Sequence, residues 1–309
     1  MRIGTFQSYA SQTSRMADLQ TTLNKLQSQI AVGKRILDPS DDPLGANRVV
    51  SLQRSIDNNQ QYIRNMDFAT TQLSTADSAA ESMINQLTRA KELAIIAANG
   101  TMTATDRQNV STELDQLIKQ MLALANTQDS AGNYIFSGAK SSTAAFAPDA
   151  AGNILWQGSG NPPSVAVNAD VTVSSGANGL SMLSIDSAGG RQTILQALVQ
   201  FKTALDNPPL TPADQPAFQQ AMDRALSDTS AGLDRLVDQR AVFGSRLAQI
   251  DSESERLKTL EATLTTAQSS IESLDVAGAI TQLQSAMTLL QASQQSFTQI
   301  KKLSLFQYL

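Results

Sequence analysis

The N-terminal stretch YASQTSRMADLQTTLNKLQSQI, residues 9–30, decides the fold, because its apolar side chains recur at alternating steps of three and four residues. That spacing is typical of a heptad seam, along which one helix packs against another. The predicted N-terminal seam consists of Tyr9, Gln12, Met16, Leu19, Leu23, Leu26 and Ile30. Gly33 and the segment DPSDDP (residues 38–43) end this helix, because glycine and proline interrupt helical hydrogen bonding.

The C-terminal stretch VAGAITQLQSAMTLLQASQQSF, residues 276–297, carries a seam of the same length. The predicted C-terminal seam consists of Val276, Ile280, Leu283, Met287, Leu290, Gln294 and Phe297. An antiparallel pairing of the two seams places Tyr9 opposite Phe297 and Gln12 opposite Gln294. We therefore predict that the chain ends form an antiparallel helical hairpin, with the glutamine pair fixing its register.

The C-terminal helix has no charged residue between Val276 and Ile300. A free two-helix coil normally carries charges beside its seam, and burying an ion costs several kcal/mol. Two interpretations stay open. The helix is either a core helix of a four-helix bundle or a helix that becomes buried only on assembly into a polymer.

The sequence patterns between the two seams predict a mainly α fold. We expect an elongated rod of long antiparallel helices, with paired coiled-coil helices at the termini and a small β-rich insertion. Long helical patterns run from Pro43 to Asn99 and from Ala217 to Leu274, and shorter ones cover residues 105–127 and 191–205. The insertion has few charges, and its valines alternate as in strands. The predicted domains are a terminal helical core (1–38 with 272–309), a helical rod (39–137 with 190–271) and the β-rich insertion (138–189).

Composition excludes several classes of function. The 309 residues include no Cys and no His, so disulfides, Cys/His zinc sites and Ser–His or Cys–His catalysis are impossible. A net charge of −5 disfavours general nucleic-acid binding. The N-terminus lacks a cleavable signal pattern, and no apolar run is long enough for a membrane span. We expect no enzyme activity, no cofactor, no metal, no nucleic-acid partner and no membrane insertion.

Three local features have a structural interpretation. Asp38, Asp41 and Asp42 lack the ligand spacing of an EF-hand, and they predict helix capping and turn formation rather than a calcium or acid–base site. Gly278 is expected to allow the close approach of another helix. The apolar residues Tyr134, Ile135, Phe136 and Trp156 are expected to form the core of the insertion and its base rather than a ligand platform.

Two terminal motifs resemble those of the flagellin superfamily. GKRILDPSDDPLGA (residues 33–46) resembles the turn that follows the N-terminal helix in that family, and residues 271–297 are similar to its C-terminal helix. GNYIFSG (132–138), RAVFGSRL (240–247) and LSLFQYL (303–309) resemble the branch of flagellin-like hook–filament junction proteins. The resemblance covers roughly 1–138 and 190–309, whereas the insertion matches nothing residue by residue.

The resemblance implies a structural subunit of the extracellular bacterial flagellum, exported unfolded by the flagellar type III system without a cleaved signal peptide. It implies four kinds of association: with a hook-side junction protein, with flagellin, with a cytosolic export chaperone on the C-terminal helix, and with further copies in a ring. One alternative stays open, a short flagellin that forms the filament itself. No sequence motif supports an enzyme or ligand-binding protein based on the insertion. The β-rich insertion and the proline-rich breaks argue against a chemoreceptor-like cytosolic coil.

Overall fold

The computed structural model describes residues 2–99, 102–188, 190–209, 211 and 213–306, with side chains from Gln7 to Gln299 except Ser8. The last three residues of the LSLFQYL motif lie outside this range. The helices of the described residues are α1 (Arg2–Val32), α2 (Pro43–Ala97), α3 (Ala104–Ala125), α4 (Gly179–Leu183), α5 (Ile194–Asp206), α6 (Gln215–Glu272) and α7 (Val276–Phe306). The strands are β1 (Phe146–Pro148), β2 (Ile154–Trp156), β3 (Ser164–Ala166), β4 (Thr172–Ser174), β5 (Ser184–Ser187) and β6 (Gly190–Thr193).

The predicted mainly α class with a small β-rich region is confirmed. Helices α2 and α6 have 55 and 58 residues and begin and end within two residues of the predicted bounds. Pro43 is the first residue of α2, where its missing N–H has no helical partner to lose. The short helix α4 and the hairpin β5–β6 were not predicted, because such short elements show no period. The helix predicted over 191–205 begins only at Ile194, since residues 190–193 pair with β5 as strand β6.

Two compact units make up the chain. The first unit comprises Met1–Asn58 and Thr259–Leu309, and the second comprises Asn59–Lys258. The first unit therefore holds α1, α7, the start of α2 and the end of α6. The second unit holds the inserted strands together with the remaining helices. The three-part domain scheme stays a prediction.

The core of the second unit follows the helical period of α2. The α2 side chains of this unit that are fully buried include Ala69, Leu73, Ala76, Ala80, Met83, Leu87, Ala90 and Ala94, each three or four residues from the next. The motif residue Arg240 on α6 donates to both carboxylate oxygens of Asp77, at 2.8 and 3.0 Å. A bidentate pair of this kind fixes direction as well as distance, so it aligns α6 with α2 inside this unit.

The insertion consists of three two-stranded antiparallel hairpins. In the β3–β4 hairpin Val165 lies opposite Val173, as the alternation of valines predicted. Phe136 is fully buried, and Ile135 and Trp156 pack into the same apolar core. The core interpretation is therefore confirmed for Ile135, Phe136 and Trp156, whereas the half-buried Tyr134 is not part of this core.

A repeated turn, missed by the sequence analysis, supports the insertion. The sequence D-x-A-G-N occurs at residues 129–133 and 149–153. In both copies the aspartate Oδ1 accepts the N–H groups two and four residues later, at 2.8 to 2.9 Å. The glycines have φ of +82° and +86°, a conformation that disfavours any side chain. Gln72 of α2 donates to Asp129 at 2.6 Å and Gln196 of α5 donates to Asn153 at 2.9 Å, so each turn is tied to a helix.

Candidate assembly interface

The N-terminal seam lies on one face of α1. Leu23 and Leu26 are only 4% and 8% exposed, and the other five seam residues are half-buried. Nearly all other side chains described between Gln7 and Ser28 are exposed. Helix α1 packs along α7. The seven residues therefore form a single stripe against α7, as a heptad seam does.

The C-terminal seam is divided between two faces of α7. Leu283, Leu290 and Phe297 are half-buried, whereas Val276, Ile280, Met287 and Gln294 are exposed. Apart from Gly278, the least exposed positions of this helix recur at steps of three and four: Ala279, Leu283, Ala286, Leu290, Ser293 and Phe297. Helix α7 thus turns a stripe of alternating small and large residues inward. The stripe immediately beside it holds the exposed side chains of Val276, Ile280 and Met287.

The hairpin contains the predicted aromatic pair but not the predicted glutamine pair. The rings of Tyr9 and Phe297 meet edge to face with centroids 5.8 Å apart. Gln294 is exposed, and the Oε1 atom of Gln12 is buried without a hydrogen-bond partner among the described residues. The predicted glutamine pair is therefore wrong. Its physical reason is the rotation of α7, which brings Ser293 rather than Gln294 to the inward position.

The turn after α1 is held by charge-assisted hydrogen bonds. Lys25 donates to Asp41 at 2.6 Å, and Asp41 also accepts the backbone N–H groups of Leu37 and Asp38. The Lys25 ammonium, followed by these backbone donors, holds the pKa of Asp41 below its usual value. The backbone N–H of Gly45 and then the Arg35 guanidinium lower the pKa of Asp42 in the same way. The predicted capping and turn role is confirmed for Asp41 and Asp42, and Asp38 takes part in the turn through its backbone, since its C=O accepts the Asp41 N–H at 2.9 Å.

The same turn is joined to the end of α6. The backbone N–H of Arg35 donates to the Glu272 carbonyl at 2.7 Å, and that of Leu274 donates to the Gly33 carbonyl at 3.2 Å. Lys34 and Glu272 form an ion pair at 2.9 Å. Gly33 has φ of +74°, which reverses the chain after α1. The two turns that precede α2 and α7 are therefore one hydrogen-bonded structure.

Helices α2 and α7 begin with the same cap. Asp42 accepts the N–H of Gly45 at 2.9 Å, and Asp275 accepts that of Gly278 at 3.1 Å. A Cβ at either glycine would lie 2.5 to 2.7 Å from the capping carboxylate. The expectation that Gly278 allows another helix to approach stays a prediction, since the three atoms nearest to a Cβ at this position belong to its own capping aspartate.

Several exposed apolar side chains of this unit lie on α7 and at the turn, although Val50 on α2 and Leu289 on the other side of α7 are exposed as well. Val276, Ile280 and Met287 are 44%, 41% and 45% exposed. Leu44, the second residue of α2, is 81% exposed. Sequence reasoning missed Leu44, although a leucine inside an otherwise polar Pro- and Asp-rich turn is a visible signal. Helix α7 thus presents an uncharged surface with an aliphatic stripe, a surface suited to packing against another protein.

The described residues contain no group of three or more His, Cys, Asp or Glu side chains arranged to hold a metal ion. In the same part of the chain, none of the helices combines the length and apolar character that crossing a bilayer needs.

The motif residue Arg246 donates to the Gly176 carbonyl at 3.0 Å. Arg246 and Arg240 therefore both form hydrogen bonds within the second unit.

Comparison with known proteins places both ends of the chain in one class. Residues 3–141 match the bacterial flagellin N-terminal helical region, and residues 226–309 match the bacterial flagellin C-terminal helical region. These two regions together cover more than half of the chain, and the chain belongs to the flagellin family.

Within that family the similarity extends over the whole length of one relative. The chain is 28% identical over 317 residues to the flagellar hook-associated protein 3 of Escherichia coli, covering 99% of both chains. It is 25% identical over 274 residues to a flagellin of Listeria monocytogenes, covering 88% of this chain and 85% of the flagellin. The crystal structure of hook-associated protein 3 from Legionella pneumophila has the same fold, with TM-score 0.66, 16% identity and coverage of 72% and 98%. The resemblance found in the sequence is confirmed.

Proposed function

We propose that this chain is a structural subunit of the bacterial flagellum that joins the hook side to the filament. The observation that carries the proposal is the similarity to flagellar hook-associated protein 3 over 99% of both chains. The flagellin-type helical regions at both ends support it, because they place this chain among subunits of the flagellum.

Assembly takes place through the terminal helices. The exposed stripe of α7 packs against neighbouring subunits through Val276, Ile280 and Met287. Gln294 lies on the same face of the helix. Covering each aliphatic side chain contributes on the order of 1 kcal/mol. No ion has to be desolvated, because the helix has no charged residue from Val276 to Ile300. The N-terminal seam, by contrast, is used within the subunit and holds α7 in position.

The partners follow from this role. They are a hook-side junction protein, flagellin and further copies of this chain in a ring. Before export, a cytosolic chaperone covers the C-terminal helix. The chain leaves the cell unfolded through the flagellar type III channel, without a cleaved signal. A chain with no cysteine is suited to this route, because no disulfide can trap a folded form before export.

The alternative is a short flagellin that forms the filament itself. The flagellin-type terminal regions are compatible with both roles. The larger coverage of the hook-associated relative favours the junction role over this alternative.

The test is electron microscopy of a strain lacking this gene, with flagellin assayed in the culture medium. The junction role predicts hooks without filaments together with flagellin lost to the medium. Hooks without filaments and without any other secreted flagellin support the filament alternative. Normal filaments contradict both. Complementation with the intact gene is the control for loss of a neighbouring gene.

A further inference from the structure

A cleft of about 740 Å³ opens in the insertion between β2, α4 and β6. Its size falls within the range of roughly 300–1,000 Å³ that ligand sites occupy. The wall includes Leu155 and Leu180, two exposed leucines, and the half-buried Trp156. No carboxylate lies among its described lining residues. The cleft is therefore an apolar, anion-tolerant surface whose role the assembly function does not explain.

The amide side chains in the wall are already engaged. Gln196 accepts the Ile154 N–H at 3.1 Å and donates to the turn before β2. Gln192 donates to the buried Asp228 and accepts from α5. Asn178 donates to a backbone carbonyl and caps α4. These groups shape the cleft, and the hydrogen bonds that a ligand needs have to come from elsewhere.

The edge of β2 supplies them. The N–H of Gln157 donates to the Ala145 carbonyl at 2.8 Å, which fixes the alternation of hydrogen-bonded and non-hydrogen-bonded pairs along β1 and β2. By this alternation Phe146 and Trp156 are a non-hydrogen-bonded pair. Phe146 instead uses its N–H and C=O on the Asn126 side chain, at 2.9 and 2.8 Å. The N–H and C=O of Trp156 therefore point away from β1, to the side where β2 has no partner strand.

Strand β6 contributes one cationic side chain, Arg191, to the lining of the cleft. Arg191 is exposed and forms no ion pair with any residue that the structure describes. Its partner in the β5–β6 register is Asp186, which is not within ion-pair distance of it. The cleft thus combines an open strand edge, two exposed leucines and one guanidinium.

We propose that this cleft binds an extended peptide segment of another protein by strand addition to β2. One residue of the peptide pairs its N–H and C=O with those of Trp156, because a donor and an acceptor side by side on a strand edge match a second strand. An apolar side chain of the peptide packs on Leu155 and Leu180. A carboxylate of the peptide lies near Arg191. The pairing is short, because Gln196 already occupies the position next to Ile154.

The test uses the full-length protein and the acetylated, amidated peptide Thr-Val-Leu-Asp-Thr. Trp156 is the single tryptophan of the chain, so its fluorescence reports binding at this cleft directly. We expect the aspartate peptide to bind and the same peptide with lysine in place of aspartate to bind more weakly. Two further peptides are N-methylated at alternate residues in the two possible phases. One of them is expected to lose about tenfold in affinity, because the strand pairing loses its hydrogen bonds.

The variant R191Q, compared with R64Q on the exposed surface of α2, separates the cleft from general charge effects. We expect R191Q to weaken binding by about two- to fivefold, as for an exposed ion pair, and R64Q to leave it unchanged. The proposal is overturned if no peptide changes the Trp156 fluorescence at millimolar concentration. It is also overturned if both N-methylated peptides bind like the unmodified one, or if R191Q and R64Q bind alike.

Discussion

Tyr9 near the start of α1 and Phe297 near the end of α7 meet edge to face, with an interplanar angle of 86°. These residues lie almost at opposite ends of the sequence, and their contact fixes the register of the terminal hairpin. An edge-to-face pair contributes about 0.5–1.5 kcal/mol beyond the area it buries. We expect a double-mutant cycle of Y9L and F297L, followed by urea unfolding, to give a coupling energy in this range. A coupling near zero contradicts a specific ring contact.

A disulfide reports the same register without spectroscopy. The chain has no native cysteine, and Leu23 and Leu283 lie on the facing stripes of α1 and α7. We expect L23C with L283C to form an intramolecular crosslink under mild oxidation, visible as faster migration on a non-reducing gel. The matched control is L19C with M287C, a pair in the same register whose second cysteine lies on the exposed stripe. Equal crosslinking in the two proteins argues against the observed rotation of α7.

The aliphatic stripe on α7 is predicted to matter for assembly and not for the folded subunit. The variant I280E with M287E places charges on the exposed stripe, where assembly would have to bury them at a cost of several kcal/mol each. We expect the free energy of unfolding of the monomer to change by less than about 0.5 kcal/mol per site. We also expect loss of filaments in a complementation assay.

The control for this pair is T288E, on the side of α7 away from α1 and outside the stripe. Complementation by the double variant at the level of T288E contradicts the assignment of the stripe to assembly.

Acid is predicted to weaken the turn that Asp42 caps. The pKa of Asp42 is lower in the folded chain, chiefly because the Gly45 N–H donates to its carboxylate. Its contribution to stability is therefore present above about pH 4, where the unfolded carboxyl is ionised, and is lost as pH falls through the lower folded pKa. We expect D42N to reduce the difference in urea midpoint between about pH 3 and pH 7. An unchanged pH dependence shows that the cap does not contribute.

Asp228 is predicted to respond to pH in the opposite direction. Burial between α6 and the β5–β6 hairpin raises its pKa, although Ser187 and Gln192 donate to it. A raised folded pKa gives stability that is present below the unfolded pKa and is lost as pH rises through the folded pKa. We therefore expect D228N, which retains an acceptor oxygen, to gain stability relative to the parent chain as pH rises from about 4 to 7. A relative loss of stability over this range contradicts the effect of burial.

Removal of the C-terminal segment is predicted to separate folding from assembly. The second compact unit ends at Lys258, so truncation after Ala267 leaves its residues intact. We expect a soluble, helical protein by circular dichroism that no longer restores filaments in a strain lacking the gene. Restored filaments contradict a role of the terminal helices in assembly.

The sequence by itself determined the long helices, their ends and the pairing of the termini. Leu23 and Leu26 repeat at heptad spacing, and Gly33, Asp42 and Pro43 end one helix and begin the next, because these signals act over a few residues. The valine alternation gave the β3–β4 hairpin for the same local reason.

Only the tertiary structure decided which face of α7 turns inward. Val276, Ile280 and Met287 form one apolar stripe and Ala279, Ala286 and Ser293 form another, with Leu283, Leu290 and Phe297 common to both. The hydrophobic pattern of a single helix cannot choose between two overlapping stripes, because the choice depends on how closely α1 approaches. The small side chains permit the closer approach, so α7 packs on them. Val276, Ile280 and Met287 stay exposed as a result. The same rotation of α7 separates Gln294 from Gln12. The same limit applies to the cleft beside Trp156, which long-range packing of β2 and β6 creates and no local pattern encodes.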